Sequence, residues 1–492
     1  MGGLLISQLK NQKILIVGAG VTGKSCAKVL TDFGAKITIL DEKKVNTDYP
    51  LITSLDSLTN SEKFHQAVVS PGWRLNHPFI SKIKELAIPV ISEVDLAWSL
   101  KQELAPNQKW IALTGTNGKT TTIQMVQSIF ESAKVNGRSC GNVGETVIES
   151  VVRKPAFDYL ALELSSFQIA WSELPKYEAI SVLNIAEDHI DWHGSFESYA
   201  DAKLKLGKSA KTLILNKSDA EITNRINGAN QPAADQKIVW FSLSTPKPGE
   251  IGLVENLIVD RAFTSDSKNL SNGSKAESKE EAKAEAKAEA RAEAKEIAEL
   301  SDIKPTVPHN VMNAMAAAGL SLSIGISHEA IKTGLNRFKT DHHRLQLIAK
   351  VNEISWIDDS KATNPHSAQA ALLANQNVIW IAGGLAKGAK MDELISNCHK
   401  RIKAAILIGQ DRDLIATALK NFAPQIPISL IDANSAESLM EKVVIKAIEI
   451  AQPNDTVLLA PACASMDQFK SYAQRGELFA SAVKSNLKLA NV

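Results

Sequence analysis

One stretch limits what this 492-residue chain can fold into more than any other: residues 110–130, WIALTGTNGKTTTIQMVQSIF. It opens with an apolar run of strand character, passes through a turn of small residues, and closes with Ile123, Val126 and Phe130 on one side of a helix. A tight turn at a helix start aims backbone N–H groups and the positive end of the helix dipole at one spot, and glycines let an anion approach. Gly115, Thr116, Asn117, Gly118, Lys119, Thr120 and Thr121 therefore make a candidate phosphate cradle, in which Lys119 reaches the distal phosphates and Thr120 binds Mg²⁺. The longer phosphate-loop pattern has a glycine where Leu113 stands, so this is a shorter relative of it. Nucleoside triphosphate binding is expected. The alternative is an ordinary strand–helix turn that happens to contain glycines.

The remaining bounds are broad. At about 100–200 residues per domain, a chain of this length implies two to four domains. Lys plus Arg number 55 against 54 Asp plus Glu, and a net charge of +1 gives no electrostatic case for nucleic acid or a membrane surface. The partners expected are small molecules, and a monomer is expected. Cys26, Cys140, Cys398 and Cys463 are scattered without CxxC spacing, as in reduced thiols of a cytosolic protein. No apolar run is long enough to span a bilayer, and the N-terminus does not read as a cleavable signal, so a cytoplasmic location is expected.

Taken in order, residues 13–41 read as strand, glycine turn, helix and strand, with a full GxGxxG at Gly18, Gly20 and Gly23 and Asp41 where a ribose-binding acid belongs. Alone, this is a nucleotide-binding Rossmann unit, and a nicotinamide-dependent oxidoreductase is one reading of it. Downstream stand VVSPGWRLNHP and the phosphate loop, with no second half for hydride chemistry. The first domain is placed at 1–105, before the linker Ala105-Pro106-Asn107-Gln108. Beyond the loop, apolar strands alternate with helices and end in polar residues, Glu163 and His189 among them. That pattern predicts a parallel sheet covered on both faces, with ligands beyond the carboxyl ends of its strands.

A low-complexity insertion is placed at 265–300, where EAKA repeats stack like charges at i,i+4 and leave no apolar face. The central domain, 106–338, contains it. A second alternating block, 339–492, reads as another Rossmann-like domain without a phosphate loop. The acids and histidines between Glu187 and His193 could take Zn²⁺ through His189 and His193, but a neighbouring phosphate loop favours Mg²⁺ and oxygen ligands.

TGTNGKTTT closely resembles the ATP loop of the Mur ligases, which add amino acids to the peptidoglycan precursor and include the related folylpolyglutamate synthases. The resemblance covers all but the insertion. It implies an α/β fold of three domains: an N-terminal Rossmann-like domain for the UDP substrate, a central phosphate-loop ATPase-like parallel-sheet domain, and a C-terminal Rossmann-like domain for the amino acid. ATP and Mg²⁺ are the implied cofactors. By the same likeness Val21, Thr22, Asp41, Ser70, Pro71 and Gly72 line the uridine diphosphate pocket, and Asn142 touches the substrate's phosphate end. Glu163, His189 and Lys203 as its carbamate help Thr120 hold metal, with Lys119, His189 and Lys203 in catalytic roles. A plain surface lysine is the other reading of Lys203, and a solvated strand-end carboxylate that of Asp41.

Asn310, in VPHNVMNAMAAAG, approaches the adenine, Asp359 in DDSKATNPHS the ribose, and Arg344 in HHRL the nucleotide, although Gln346 departs from the family pattern nearby. IAGGLAKG and APACASMDQFKSYAQRGELF resemble the members that add D-glutamate to UDP-N-acetylmuramoyl-L-alanine through an acyl phosphate. Lys361, Thr363, Lys387, Ser465, Met466 and Tyr472 are then the amino-acid site. A dicarboxylic amino acid calls for such cationic and hydroxyl donors, and Tyr472 replaces the family's usual phenylalanine. The competing readings are a sibling ligase with another amino acid, a nicotinamide enzyme, and a module that binds ATP without chemistry.

Overall fold

Three groups of apolar strands become three sheets in the computed structural model, which describes residues 6–59, 63–228, 230–264 and 294–488. The first sheet consists of β1 (Lys13–Val17), β2 (Lys36–Leu40), β3 (Leu51–Ile52), β4 (Gln66–Val69) and β5 (Val90–Ser92), in the order β3-β2-β1-β4-β5. Every pairing is parallel. The glycine turn after β1 feeds the helix Val21–Asp32. Gly23 faces the carbonyl of Gly18, which a Cβ there would meet at 1.8 Å, so the helix lies against the turn only because that position is glycine.

The second sheet holds β6 (Lys109–Thr114), β7 (Gly137–Gly141), β8 (Tyr159–Glu163), β9 (Tyr177–Val182), β10 (Ala210–Asn216), β11 (Lys237–Phe241), β12 (Glu250–Val254), β13 (Leu257–Asp260) and β14 (Lys295–Glu299). Its order is β14-β13-β12-β11-β10-β9-β6-β8-β7. From β7 to β12 all pairs are parallel, as the alternating pattern predicts. The edge departs from it: β12, β13 and β14 run antiparallel, because the two residues Glu255 and Asn256 between β12 and β13 are too few for a crossover.

The strand β14 also corrects the extent of the low-complexity insertion. Residues 265–293 of that segment lie outside the described residues, but its expected tail to 300 is a strand paired with β13 and a short 3₁₀ turn from Leu300. The charge repeat gives way there to Ile297, Ala298 and Leu300, and Ile297 and Ala298 are fully buried. Apolar side chains facing the core outweigh the composition upstream of them. The helices Lys119–Ser132 and Pro308–Ser323 supply much of this sheet's core, with Val126, Ile129, Phe130, Met315 and Leu320 at zero exposure.

The third sheet comprises β15 (Gln346–Val351), β16 (Ile354–Asp358), β17 (Val378–Gly383), β18 (Ile402–Ile408), β19 (Ile428–Leu430) and β20 (Thr456–Leu459), ordered β15-β16-β20-β17-β18-β19. It is parallel apart from β15 against β16, which are joined by Asn352 and Glu353 at φ 50° and 62°, the left-handed pair of a tight hairpin. The first two sheets belong to one compact unit. The third forms another, together with Ala186–Asp191 and Val307–His309.

Within the first unit, the helix Glu93–Leu104 ties the two sheets by its acidic first turn. Glu93 accepts the Ile148 N–H at 2.8 Å, and Asp95 accepts from Ser172 Oγ, Glu173 N and Leu174 N, each at 2.9 Å. Burial pushes Glu93 up to about 7. All four cysteines are buried free thiols, and among the described residues no helix is long and apolar enough to cross a membrane.

Candidate active site

The loop after β6 is built as its sequence predicts. Gly118, at φ 83°, caps the helix Lys119–Ser132, and a Cβ there would sit 2.4 Å from Asn313 Oδ1 on the helix Pro308–Ser323. Asn184, just past β9, locks the turn from below: its side chain accepts the Asn117 N–H at 2.8 Å and donates to Asn117 O at 3.1 Å. Its own carbonyl accepts the Thr116 N–H at 3.0 Å. Lys119 folds back, donating to Gly115 O at 2.8 Å and Thr116 O at 3.0 Å. A cation held over its own loop by two carbonyls can exchange them for phosphate oxygens with little movement.

Beside the loop stands Glu163, at the carboxyl end of β8 and 1% exposed. One of its oxygens lies 3.5 Å from Thr120 Oγ1 and accepts from Asn142 Nδ2 at 3.1 Å, while the other is buried without a hydrogen-bond partner. A buried carboxylate oxygen with unused lone pairs, next to a threonine hydroxyl at a helix N-terminus, is an oxygen donor set suited to a hard cation. Lys203 is 2% exposed, not a surface lysine, and donates to Gly115 O at 2.8 Å beneath the loop while lying 4.7 Å from the Tyr199 ring. Asn310 is also buried, donating to Pro305 O and accepting from Asn313.

His189 belongs to the second compact unit, at φ 54°, and its ring nitrogen lies 3.6 Å from the Asp188 carboxylate. His193 bonds Ser166 Oγ at 3.0 Å and stacks among aromatic rings, which leaves the two-histidine zinc reading without support. Among the described residues no group of three or more His, Cys, Asp and Glu side chains is placed to hold a metal.

In the first sheet, Val21, Thr22, Asp41, Ser70, Pro71 and Gly72 all line one cleft of about 550 Å³ at the carboxyl ends of the strands. Asp41 is more than a strand-end charge, since it accepts from Ala19 N at 2.8 Å and Lys43 N at 3.1 Å and so braces the glycine turn. Glu42, Trp73, Arg74 and His77 also line the cleft and were not singled out from the sequence, although WRLNH comes directly after the Ser-Pro-Gly loop.

In the third sheet the candidate residues gather at the ends of β16, β17 and β20. The Lys361 ammonium lies 5.2 Å from the Tyr472 ring, and Thr363 N–H donates to Lys361 O at 2.9 Å. Leu385 bridges Ala464, so the loop of exposed Lys387 adjoins that of buried Ser465 and exposed Met466. Gln346 accepts the His343 N–H at 3.0 Å, so the departure from the family pattern shapes the turn before Arg344. Asp359 keeps part of its surface exposed, yet burial pushes its carboxyl up to about 7 against the lowering effects of the Leu345 N–H and Arg344. His309 is driven down to about 4 by burial, with Arg344 adding to the effect.

The residue that sequence reasoning missed here is Arg475, at zero exposure. It donates to Ser360 Oγ and O at 2.9 Å each, to Cys463 O at 3.2 Å and to Gly383 O at 3.5 Å, fastening the ends of all three strands. Burial lowers it to about 10. One arginine within YAQRGELF was its only signal.

Comparisons with known proteins agree in all three parts. The chain matches models described as "Mur ligase MurD-like, N-terminal domain" over residues 12–92, "Mur ligase middle domain" over 113–321 and "Mur ligase, glutamate ligase domain" over 343–463. It is 38% identical to a UDP-N-acetylmuramoylalanine–D-glutamate ligase of Streptomyces coelicolor, across 97% of this chain and 99% of that one. A protein of the same name from Thermobifida fusca is also 38% identical over the same shares. Among solved structures, a MurF ligase from Thermotoga maritima in complex with ADP shares the fold at a TM-score of 0.55 and 13% identity, covering 99% of this chain and 97% of that one.

Proposed function

The chain belongs to the Mur ligase family, and on that premise we propose that it joins D-glutamate to UDP-N-acetylmuramoyl-L-alanine, with cleavage of ATP to ADP and phosphate, in peptidoglycan precursor synthesis. The observation that carries the reading is 38% identity across 97% of the chain to a ligase of that name. Amide formation from a carboxylate is uphill in water, so the alanyl carboxylate first attacks the γ-phosphorus, ADP leaves, and an acyl phosphate forms. The amine of D-glutamate then adds to the acyl carbon. The tetrahedral intermediate expels inorganic phosphate, the nitrogen gives up its proton, and the peptide bond closes.

In this reading the cleft of Val21, Thr22, Asp41, Ser70, Pro71 and Gly72 takes the uridine diphosphate, and Asn142, fixed by Glu163, meets the phosphate end. ATP lies along the loop 115–121. Asn310 is at the adenine, Asp359 at the ribose, and Arg344 beside the phosphates. Lys119 trades its loop carbonyls for the transferring phosphoryl group, whose charge it stabilises. Thr120, Glu163 and His189 would hold Mg²⁺, with Lys203 contributing as its carbamate. The orphaned Glu163 oxygen supports that set, and the ion's contribution when bound is to neutralise phosphate charge. Lys361, Thr363, Lys387, Ser465, Met466 and Tyr472 receive D-glutamate.

The domains run 1–105, 106–338 and 339–492, and the enzyme acts as a cytoplasmic monomer on small-molecule substrates. A net charge of +1 supports the last point. The test is phosphate release with UDP-N-acetylmuramoyl-L-alanine, with and without D-glutamate and with other L- and D-amino acids. Release that depends on D-glutamate is expected. Equal release with a diamino acid would make it a sibling ligase.

A further inference from the structure

Two indoles of the second sheet's region reach across to the loop that lines the uridine cleft. Trp192 Nε1 donates to Gly72 O at 3.1 Å and Trp171 Nε1 to Trp73 O at 2.9 Å. These are main-chain carbonyls of the cleft itself, so a shift of that loop on binding must be felt at the indoles. From Trp192 the contact continues. Its ring meets His193 edge-on at 4.5 Å, and His193 meets Tyr199 edge-on at 5.3 Å. The Tyr199 hydroxyl pairs with Thr116 Oγ1 of the phosphate loop at 2.8 Å. Each link is directional: an indole N–H to a carbonyl, two edge-to-face ring pairs, and a hydroxyl pair. Packed rings do not deform continuously, so displacement at one end is passed on rather than absorbed.

We propose that Trp192, His193 and Tyr199 are positioning residues that couple occupancy of the uridine cleft to the geometry of the phosphate loop. Filling the cleft settles Gly72, the aromatic chain settles Thr116, and the loop is drawn into the shape that grips the triphosphate. The side branches act in the same direction. His193 also bonds Ser166 Oγ at 3.0 Å, three residues beyond Glu163, and Lys203 Nζ lies 4.7 Å from the Tyr199 ring centroid while donating to Gly115 O. The proposal rests on the assignment of the UDP-linked substrate to the first sheet's cleft.

Linkage makes the idea measurable, because two ligands that favour one conformation must tighten each other by the same factor. Binding of a non-hydrolysable ATP analogue to the full chain is measured by calorimetry, with and without saturating UDP-N-acetylmuramoyl-L-alanine. The proteins compared are wild type, Trp192→Phe, which keeps the ring and loses the N–H, Tyr199→Phe, which loses only the hydroxyl, and the double variant. In the wild type the UDP substrate should tighten the analogue at least about fivefold, the lower end of usual coupling. Each single variant should bring that factor to about one while keeping its affinity for either ligand alone within a few-fold, and the double variant should lose no more than either single. A wild type without coupling, or variants that retain the wild-type factor, overturns the proposal. A Thr22→Trp variant separates the two readings. If blocking the cleft leaves affinity for the UDP substrate unchanged, the cleft assignment itself is at fault; if affinity falls while Trp192→Phe still couples, only the relay fails.

Discussion

The candidate phosphate loop and the proposed amino-acid site both stand at the carboxyl end of a parallel sheet, and they are put together by opposite means. The loop is made from one continuous run, and its donors are backbone N–H groups fixed by a helix start and by Asn184. The proposed amino-acid site draws on the ends of β16, β17 and β20, which span about a hundred residues of chain and are held by the buried guanidinium of Arg475. A site made of backbone tolerates change at its flanks but not at its turn. A site made of separated strand ends depends on whatever ties the ends together.

The sharpest way to break this contrast is Lys119→Ala. Removing the side chain proposed to meet the transferring phosphoryl group should cut turnover by about 10²–10³ or more, with little change in melting temperature. Phosphate release near the wild-type rate would remove the lysine from the chemistry. Arg475→Met should behave the other way. It strands several buried carbonyls at about 1–3 kcal/mol each, so the second unit should lose at least about 3 kcal/mol of stability and the Michaelis constant for D-glutamate should rise with it. A calorimetric transition unmoved by this change would show that the strand ends hold together without the guanidinium.

The third test uses pH. Asp359 has a folded value near 7, above the ordinary carboxylate range, so the folded state keeps a proton that the unfolded chain releases above about pH 4. Its contribution to stability therefore declines as pH rises from about 4 to 7 and is level above that. His343, raised by its hydrogen bond to Asp358, works in the same direction, its contribution being complete below about 6.5 and lost as pH climbs through the folded value. Asp359→Asn should flatten the decline between pH 5 and 7 by something on the order of 2 kcal/mol in denaturant titrations. An unchanged slope would mean that the carboxyl ionises as it does in water. The smallest effect belongs to Lys387→Ala. Loss of one charge-assisted contact, about 1.5–3 kcal/mol, should weaken D-glutamate roughly tenfold or more and leave ATP affinity as it was. Equal losses for both ligands would make the lysine structural.

The same contrast explains what could be read from the sequence. The phosphate loop, the glycine turn and the Ser-Pro-Gly loop are local, so their residues appear together in the chain and together in the fold. Asn184 and Arg475 escaped notice because each acts on residues far away in sequence: Asn117, Ser360, Gly383. No period or spacing marks such a partner. The strand β14 was missed for a different reason, since the charged repeat before it dominated the composition, and Ile297, Ala298 and Leu300 were too few to mark the return to the core.

The pairing of β13 with β14 has a consequence for what this gene can carry. Asp260 and Lys295 are cross-strand partners, so the chain leaves the sheet and returns to it at a single point. For a chain that starts and finishes side by side, doubling the length between the two ends adds only about 0.6 kcal/mol of closure entropy. A fluorescent protein or affinity handle inserted between residues 264 and 294 should therefore leave the nine strands in register, with a melting temperature close to that of the parent chain.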